Sequence, residues 1–282
     1  MWISDPGIIS DTVKTAVEAT KKQDTSWIMH HVLDARELDF TPFGVIHLPE
    51  MHLFGIDISL TKHVVFMWLA FVILVVTFLY VAKSYRKSLV PRGVTNLTEI
   101  LIVFVRDEIV KPTIGKGYER FLPYLLTIFF FILTCNFLGL IPYGSTATSN
   151  IAVTATLAII SFVVIQVGGM MKNGVFGYFK GLVPHGIPMW LLPIMIPVEL
   201  LGLFTKPFAL AIRLFANMTA GHIVILALLG LIFILHTYFV VPVSIAFALF
   251  IFLLEILVAL IQAYIFTMLS SLFIGMAVHQ EH

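Results

Sequence analysis

Past residue 60 the chain is a succession of long apolar runs broken by short polar ones. Apolar stretches cover 63–82, 121–141 and 151–171, then a longer one runs from 189 to about 235, and a last one from 243 to 278. About 20 apolar residues suffice to cross the hydrocarbon core of a bilayer as a helix, so each stretch is a candidate span. At 1.5 Å per residue the stretch 189–235 would be about 70 Å long, more than an upright helix needs. It must tilt, kink or begin outside the lipid, and Pro193, Pro197 and Pro207 provide places to kink. Segment 95–111 differs in kind. Leu97, Ile100, Leu101, Phe104 and Val105 are interleaved with Glu99, Arg106, Asp107 and Glu108. That pattern predicts an amphipathic helix lying in the interface. The predicted fold is an all-α polytopic membrane protein: about five transmembrane helices plus one interfacial amphipathic helix, the last two spans long, tilted and paired as a hairpin. No internal repeat is visible.

The first 57 residues break this pattern. They hold nine of the sixteen acidic residues and no long apolar run. They also lack the basic start and apolar core of a secretory signal, so no cleavage is expected there. We read 1–57 as an extracytoplasmic N-terminal tail and 58–282 as the membrane domain. Within the tail, 8–24 could form a short amphipathic helix, and 41–58, with Pro42, Gly44, Pro49 and Gly55, reads as irregular.

Composition strengthens the membrane reading. The chain is 59% apolar and 12% charged, with mean hydropathy +1.00, whereas soluble domains carry roughly 25% charged residues. A net charge of +1 gives no reason to expect a nucleic-acid partner. The single cysteine, Cys135, lies in an apolar run and reads as a buried thiol. His30 and His31 lack further ligands around them, so neither a metal nor a cofactor is expected. His47, His52 and His63 lie near the outer end of the first span as possible proton feeders, and His236 sits at the hairpin tip. His185 and His279 read as interfacial.

Basic residues set the orientation. Ten of the seventeen lysines and arginines fall in 83–120 and 172–188, and none in 142–150 or 236–242. The positive side is cytoplasmic, which puts the N-terminus outside and the C-terminus in the cytoplasm. Only Glu199, Lys206, Arg213 and Glu255 then carry charge at membrane depth. Such a charge costs several kcal/mol and marks an ion path, a proton relay or a buried pair. Lys206, beside Pro207 near the cytoplasmic end, fits a structural, snorkelling role. Arg213, flanked by apolar residues on both sides, does not.

A hairpin turning near residue 239 sets His222 level with Glu255, and Arg213 level with Gln262. Imidazole titrates near neutral pH, and burial can bring a carboxyl group towards the same range, so His222 and Glu255 read as a proton-relay pair. His222 lies nine residues from Arg213, about 14 Å along the helix, and Glu199 lies fourteen residues to the other side, about 21 Å. Between these two acid–base stations stands an arginine, which does not deprotonate in proteins. It can attract a carboxylate on a partner, but it cannot hand on a proton. That arrangement suits a gate between two half-paths. Asn217, one turn away on the same face, could orient the guanidinium or line a polar groove. Equally, it could bond to a neighbouring helix. Ala209, Ala216, Ala220 and Gly221 allow close packing with such a helix.

These residues carry a resemblance. The segment KPFALAIRLFANMTAGH at 206–222 is similar to the arginine motif of subunit a of the F-type ATP synthase. So are 127–142, with NFLGLIP from Asn136, NIAVTAT from Asn150, and LIQAYIF from Leu260. The likeness covers roughly 60–276, and MHHVLD from Met29 resembles some bacterial members more weakly. The resemblance implies a non-catalytic, proton-translocating stator subunit of a bacterial plasma-membrane rotary motor. It would work with a rotor ring of small two-helix c subunits, peripheral-stalk b subunits, the remaining synthase subunits and membrane lipid. Arg213 would face the rotor carboxylate, His222 and Glu255 would serve the outer half-channel, Glu199 the cytoplasmic one, and Gln262 would lie beside Arg213. Many bacterial members carry the acid on the arginine helix and the histidine on the last helix. Here the two are exchanged, as in the mitochondrial branch. Asn150 stands where some members have an acid, so no proton-carrying role is assigned to it. The alternative is an ion-coupled secondary transporter, which usually shows internal repeats and paired broken helices. A membrane enzyme would need a nucleophile or metal set, and a scaffold would have no use for charge in lipid.

Overall fold

The computed structural model describes residues 37–39, 44–48, 52–53, 56–57, 59–87, 90, 92–141, 144–181, 192–235 and 238–279. The expected helix at 8–24 and the readings of His30, His31, His185 and His236 lie outside them. Four short strands come first: β1 (Glu37–Asp39) pairs antiparallel with β2 (Val45–His47), and β3 (His52–Leu53) with β4 (Ile56–Asp57). Part of 41–58, expected to be irregular, is therefore paired. The ladders avoid all four of its prolines and glycines, consistent with the rule that proline removes a ladder donor and glycine weakens a strand.

The helices follow as α1 (Lys62–Lys87), α2 (Val94–Phe104), α3 (Lys111–Ile114), α4 (Leu122–Gly139), α5 (Ile151–Asn173), α6 (Val175–Gly181), α7 (Leu192–Leu235) and α8 (Val240–Val278). Among the described residues five helices are long and apolar enough to cross a membrane: α1, α4, α5, α7 and α8. They coincide with the five predicted apolar stretches. The long stretch forms one helix of 44 residues with Pro197 and Pro207 inside it. The expected interfacial helix is α2, but it is not uniform. Val105–Val110 widens into a π-helix before α3 resumes, and Gly115, at φ 69°, ends α3. Within the π turn Asp107 accepts from Arg106 (2.7 and 3.0 Å) and pairs with Lys111 at 2.7 Å. These two cations hold the Asp107 carboxyl well below the usual carboxylate range.

The described residues fall into two compact units. One contains the strand pairs and Thr219–Leu254. In it Ser244 Oγ donates to the Leu228 carbonyl, tying the start of α8 to α7. The other contains His63–Met218 and Glu255–His282. Its core gathers Val105, Ile109, Leu125, Phe129, Ile132, Leu214, Phe266 and Ile274. Three polar ties fix the helices around that core. Asn136, fully buried, donates from Nδ2 to the Ala259 carbonyl (3.3 Å) and accepts from Thr148 Oγ1 (2.7 Å). Thr113 and Ser271 share a hydroxyl bond of 2.5 Å, and Tyr124 donates to Ser161 Oγ at 2.8 Å. In hydrocarbon no water is at hand to satisfy such groups, so they must pair within the protein. The outward faces are apolar: Trp68, Val76 and Leu79 of α1 and Ile159 of α5 are all exposed.

Local signals account for several helix ends. Asn150 caps α5, its Oδ1 accepting from the Ala152 N–H at 2.9 Å, as asparagine at an N-cap does. This is the position left without a proton-carrying role, and it has a structural one instead. Gly174, at φ 72°, breaks α5 from α6 in a conformation that glycine adopts without penalty. The break folds α6 back, so that Tyr178 lies against Gly169 of α5.

Candidate functional site

The site is built on α7 and α8. Arg213 is exposed on α7, as is Asn217 one turn further on. Ala209, Ala216 and Ala220 are exposed as well, so the guanidinium shares its helix face with small side chains. The opposite face of the same turns is buried, through Leu210, Ala211, Leu214 and Met218. The helix is thus held by its apolar side and offers its polar side outward. Behind the arginine Gln262, 2% exposed on α8, donates from Nε2 to the Arg213 backbone carbonyl at 3.2 Å. The expected level match of Arg213 and Gln262 is a direct contact, made through the backbone. That bond fixes the helix beneath the guanidinium and leaves the charged end unencumbered.

The two acid–base stations are placed differently. Glu255 is 4% exposed on α8, within the larger unit. His222 is half-buried on α7, in the other unit. Glu199, half-buried on α7, lines a chamber of about 300 Å³ with Lys206, Phe273, Gln166, Tyr178 and His279. Lys206, read from the sequence as snorkelling near the cytoplasmic end, has its Nζ 5.3 Å from the centroid of the Phe273 ring, within cation–π range. Among the described residues no ion pair joins it to Glu199. Tyr178 of α6 is buried, which raises its phenol above the ordinary value, with the Gln166 side chain opposing that rise.

Gln166, Tyr178 and His279 escaped the sequence reading as members of this site. They come from α5, α6 and the last residue of the described chain, and no spacing links them to Glu199. Of the outer histidines His47 is exposed, while His63 is buried with Nδ1 2.8 Å from Ser145 Oγ and 3.1 Å from the Thr146 carbonyl. A carbonyl only accepts, so Nδ1 carries the proton there, and the ring ties α1 to the segment after α4.

Residues 64–275 match the family described as ATP synthase A chain. The chain belongs to that family. ATP synthase A chain relatives cover most of its length. It is 58% identical over 259 residues to ATP synthase subunit a of Chloroherpeton thalassium, covering 90% of this chain and 77% of that protein. It is 56% identical to ATP synthase subunit a 2 of Chlorobaculum tepidum, covering 89% and 72%. With ATP synthase subunit a of Myxococcus xanthus it shares 54% identity over 80% and 75%. Nothing in these likenesses favours a secondary transporter. The residues of α7 and α8 described above and the chamber residues Gln166 and Tyr178 fall inside the part that matches the ATP synthase A chain family, whereas His47, His63 and His279 lie outside it.

Proposed function

We propose that the protein is the stator subunit of the membrane sector of an F-type ATP synthase, providing two offset half-channels that carry protons to and from the carboxylates of a rotor ring. The observation that carries this reading is the placement of Arg213. It is a permanent cation exposed on a helix face shared with Asn217 and small alanines, with its backbone tied from behind by buried Gln262. A charge directed outwards at membrane depth calls for a partner charge from outside the chain. A ring of c subunits passing its carboxylates in turn meets that need, and the small residues beside Arg213 permit close approach.

In this mechanism Glu199 and its chamber form the cytoplasmic half-channel. By the register of the sequence, His222 and Glu255 form the outer one. A proton enters through one station and neutralises a rotor carboxylate, and the ring turns. Arg213 draws a proton off the next carboxylate towards the other station, because the ionised form is the one it stabilises. Since Arg213 itself does not release a proton, the two half-channels do not connect directly. Asn217 orients the guanidinium from one turn away. The subunit catalyses no covalent step; ATP chemistry belongs to other subunits, to which b subunits of a peripheral stalk connect it. It lies in the bacterial plasma membrane with residues 1–57 outside and the C-terminus in the cytoplasm, and 58–282 form the membrane domain.

Arg213→Ala in the assembled complex tests this. ATP-driven proton uptake into vesicles is expected to vanish, with passive leak retained or increased. Normal coupled pumping by the fully assembled variant would refute the gate.

A further inference from the structure

His279 has no task in the proton path above, yet it stands at the entrance to it. Of the described residues that line the chamber only Met276 and His279 are exposed, whereas Glu199 is half-buried. Depth can be counted from the contact of Gln262 with Arg213. Further along, Lys206 of α7 meets Phe273 of α8, so the two helices run in opposite directions. Glu199 lies fourteen residues before Arg213, about 21 Å, and His279 seventeen after Gln262, about 26 Å. His279 is thus about 5 Å nearer the chamber's open end than Glu199. The end of α8 is fastened there. Asn173 of α5 donates from Nδ2 to the Ala277 carbonyl at 3.0 Å, and the His279 N–H donates to the Gly275 carbonyl at 2.9 Å. The backbone that carries the imidazole is therefore held at the mouth, while the ring reaches outward.

We infer that His279 is the proton-collecting group of the Glu199 half-channel, taking protons from buffer acids outside and passing them through chamber water to the carboxylate. The inference rests on Glu199 being the cytoplasmic station. Free protons are scarce enough for such a group to matter. Even at a diffusion limit of about 10¹⁰ M⁻¹s⁻¹, free protons near pH 7.5 reach a single group only about 300 times per second, inside the ordinary turnover range of about 1–1,000 per second. Buffer acids are far more abundant, but Glu199 is set back from the surface, and an exposed imidazole meets them where the carboxylate does not. Imidazole gains and loses a proton near neutral pH. The chamber of about 300 Å³ has room for several waters, each of which takes about 30 Å³. The imidazolium gives an N–H proton to the nearest water, the excess proton hops to the carboxylate, and Glu199 becomes neutral. A buffer acid outside then returns a proton to the ring. The other titratable linings are poorly placed for this exchange. Lys206 is half-buried over Phe273, and Tyr178 is buried.

The test uses the whole complex in inverted vesicles, whose outer medium faces this half-channel. ATP-driven proton uptake is measured in dilute and in concentrated buffer at one pH and one ionic strength. The readout is the ratio of the two rates. For the unaltered protein it should stay near one. For His279→Gln it should fall at least about threefold, a small part of the hundredfold or more that a positioned acid–base group supplies. Millimolar imidazole added to the dilute buffer should restore it. So should Met276→His added to His279→Gln, which puts the ring back on the mouth one turn away. Should His279→Gln fail to assemble, His279→Asn stands in. A ratio like that of the unaltered protein overturns the proposal. So does an equal loss in both buffers that imidazole leaves unrepaired, since that is the mark of a purely structural residue. Glu199→Gln separates the two layers. Normal pumping by it refutes the Glu199 station itself, whereas impaired pumping together with a buffer-independent His279→Gln refutes only the role of His279.

Discussion

Replacing Gln262 separates positioning from charge. Its Nε2 gives one hydrogen bond, 3.2 Å long, to the carbonyl of Arg213. That carbonyl lies inside a helix and keeps its intrahelical donor, so removing Gln262 orphans no backbone group. What is lost in Gln262→Leu is therefore one interhelical bond between neutral groups. Such bonds in membrane proteins average about 0.6 kcal/mol and reach about 1.7, equivalent to roughly threefold and twentyfold. Leucine nearly conserves volume at a position only 2% exposed, which keeps the cavity contribution small. Coupled proton pumping by assembled Gln262→Leu should thus fall about threefold and stay well above that of Arg213→Ala. Gln262→Glu should fare worse, since it sets an acceptor against an acceptor and adds a charge to a buried place. Initial rates of ATP-driven uptake, normalised to the amount of assembled complex, measure both. If Gln262→Leu abolished pumping as completely as Arg213→Ala, a positioning role through the backbone would be wrong.

Two further outcomes follow from the packing and the charges. A Cβ on Gly169 would lie 2.5 Å from the Tyr178 ring and 3.0 Å from the Ala277 carbonyl. Gly169→Ala should therefore cost about 1–3 kcal/mol of overpacking and lower the midpoint of thermal inactivation of the purified complex; an unchanged midpoint would show that α6 yields freely. At the π turn Asp107 has a depressed folded pKa, so the stability it lends is present above its unfolded value near 3.9 and lost as pH falls through the lower folded one. Asp107→Asn should accordingly raise amide exchange across 94–114 at pH 7, with a smaller difference from the unaltered chain near pH 2, and equal exchange at pH 7 would discount the ion pairs.

The spans were legible because lipid imposes one simple demand, a run of apolar side chains long enough to cross it. Arg213 was legible for the complementary reason: a permanent charge is conspicuous where none is tolerated without a use. Gln262 followed from the antiparallel register. Other features left no such trace. The chamber around Glu199 is assembled by Gln166, Tyr178 and His279 from three distant segments, and each alone is an unremarkable polar residue near a helix end. The π turn at Val105–Val110 was hidden because one extra residue per turn hardly disturbs an amphipathic pattern. The contact of Lys206 with the Phe273 ring left no trace because the two lie 67 positions apart.

The outward exposure of Arg213 also bears on how such a chain comes to exist in a cell. Alone in a bilayer, this subunit would present an uncovered guanidinium to acyl chains, at about 2.5–3.5 kcal/mol even on the mildest insertion scale. Under the proposed mechanism, the charge that would work the assembled motor makes the orphan subunit a poor lipid solute, and biogenesis would have to cover Arg213 with a partner before the chain is at rest.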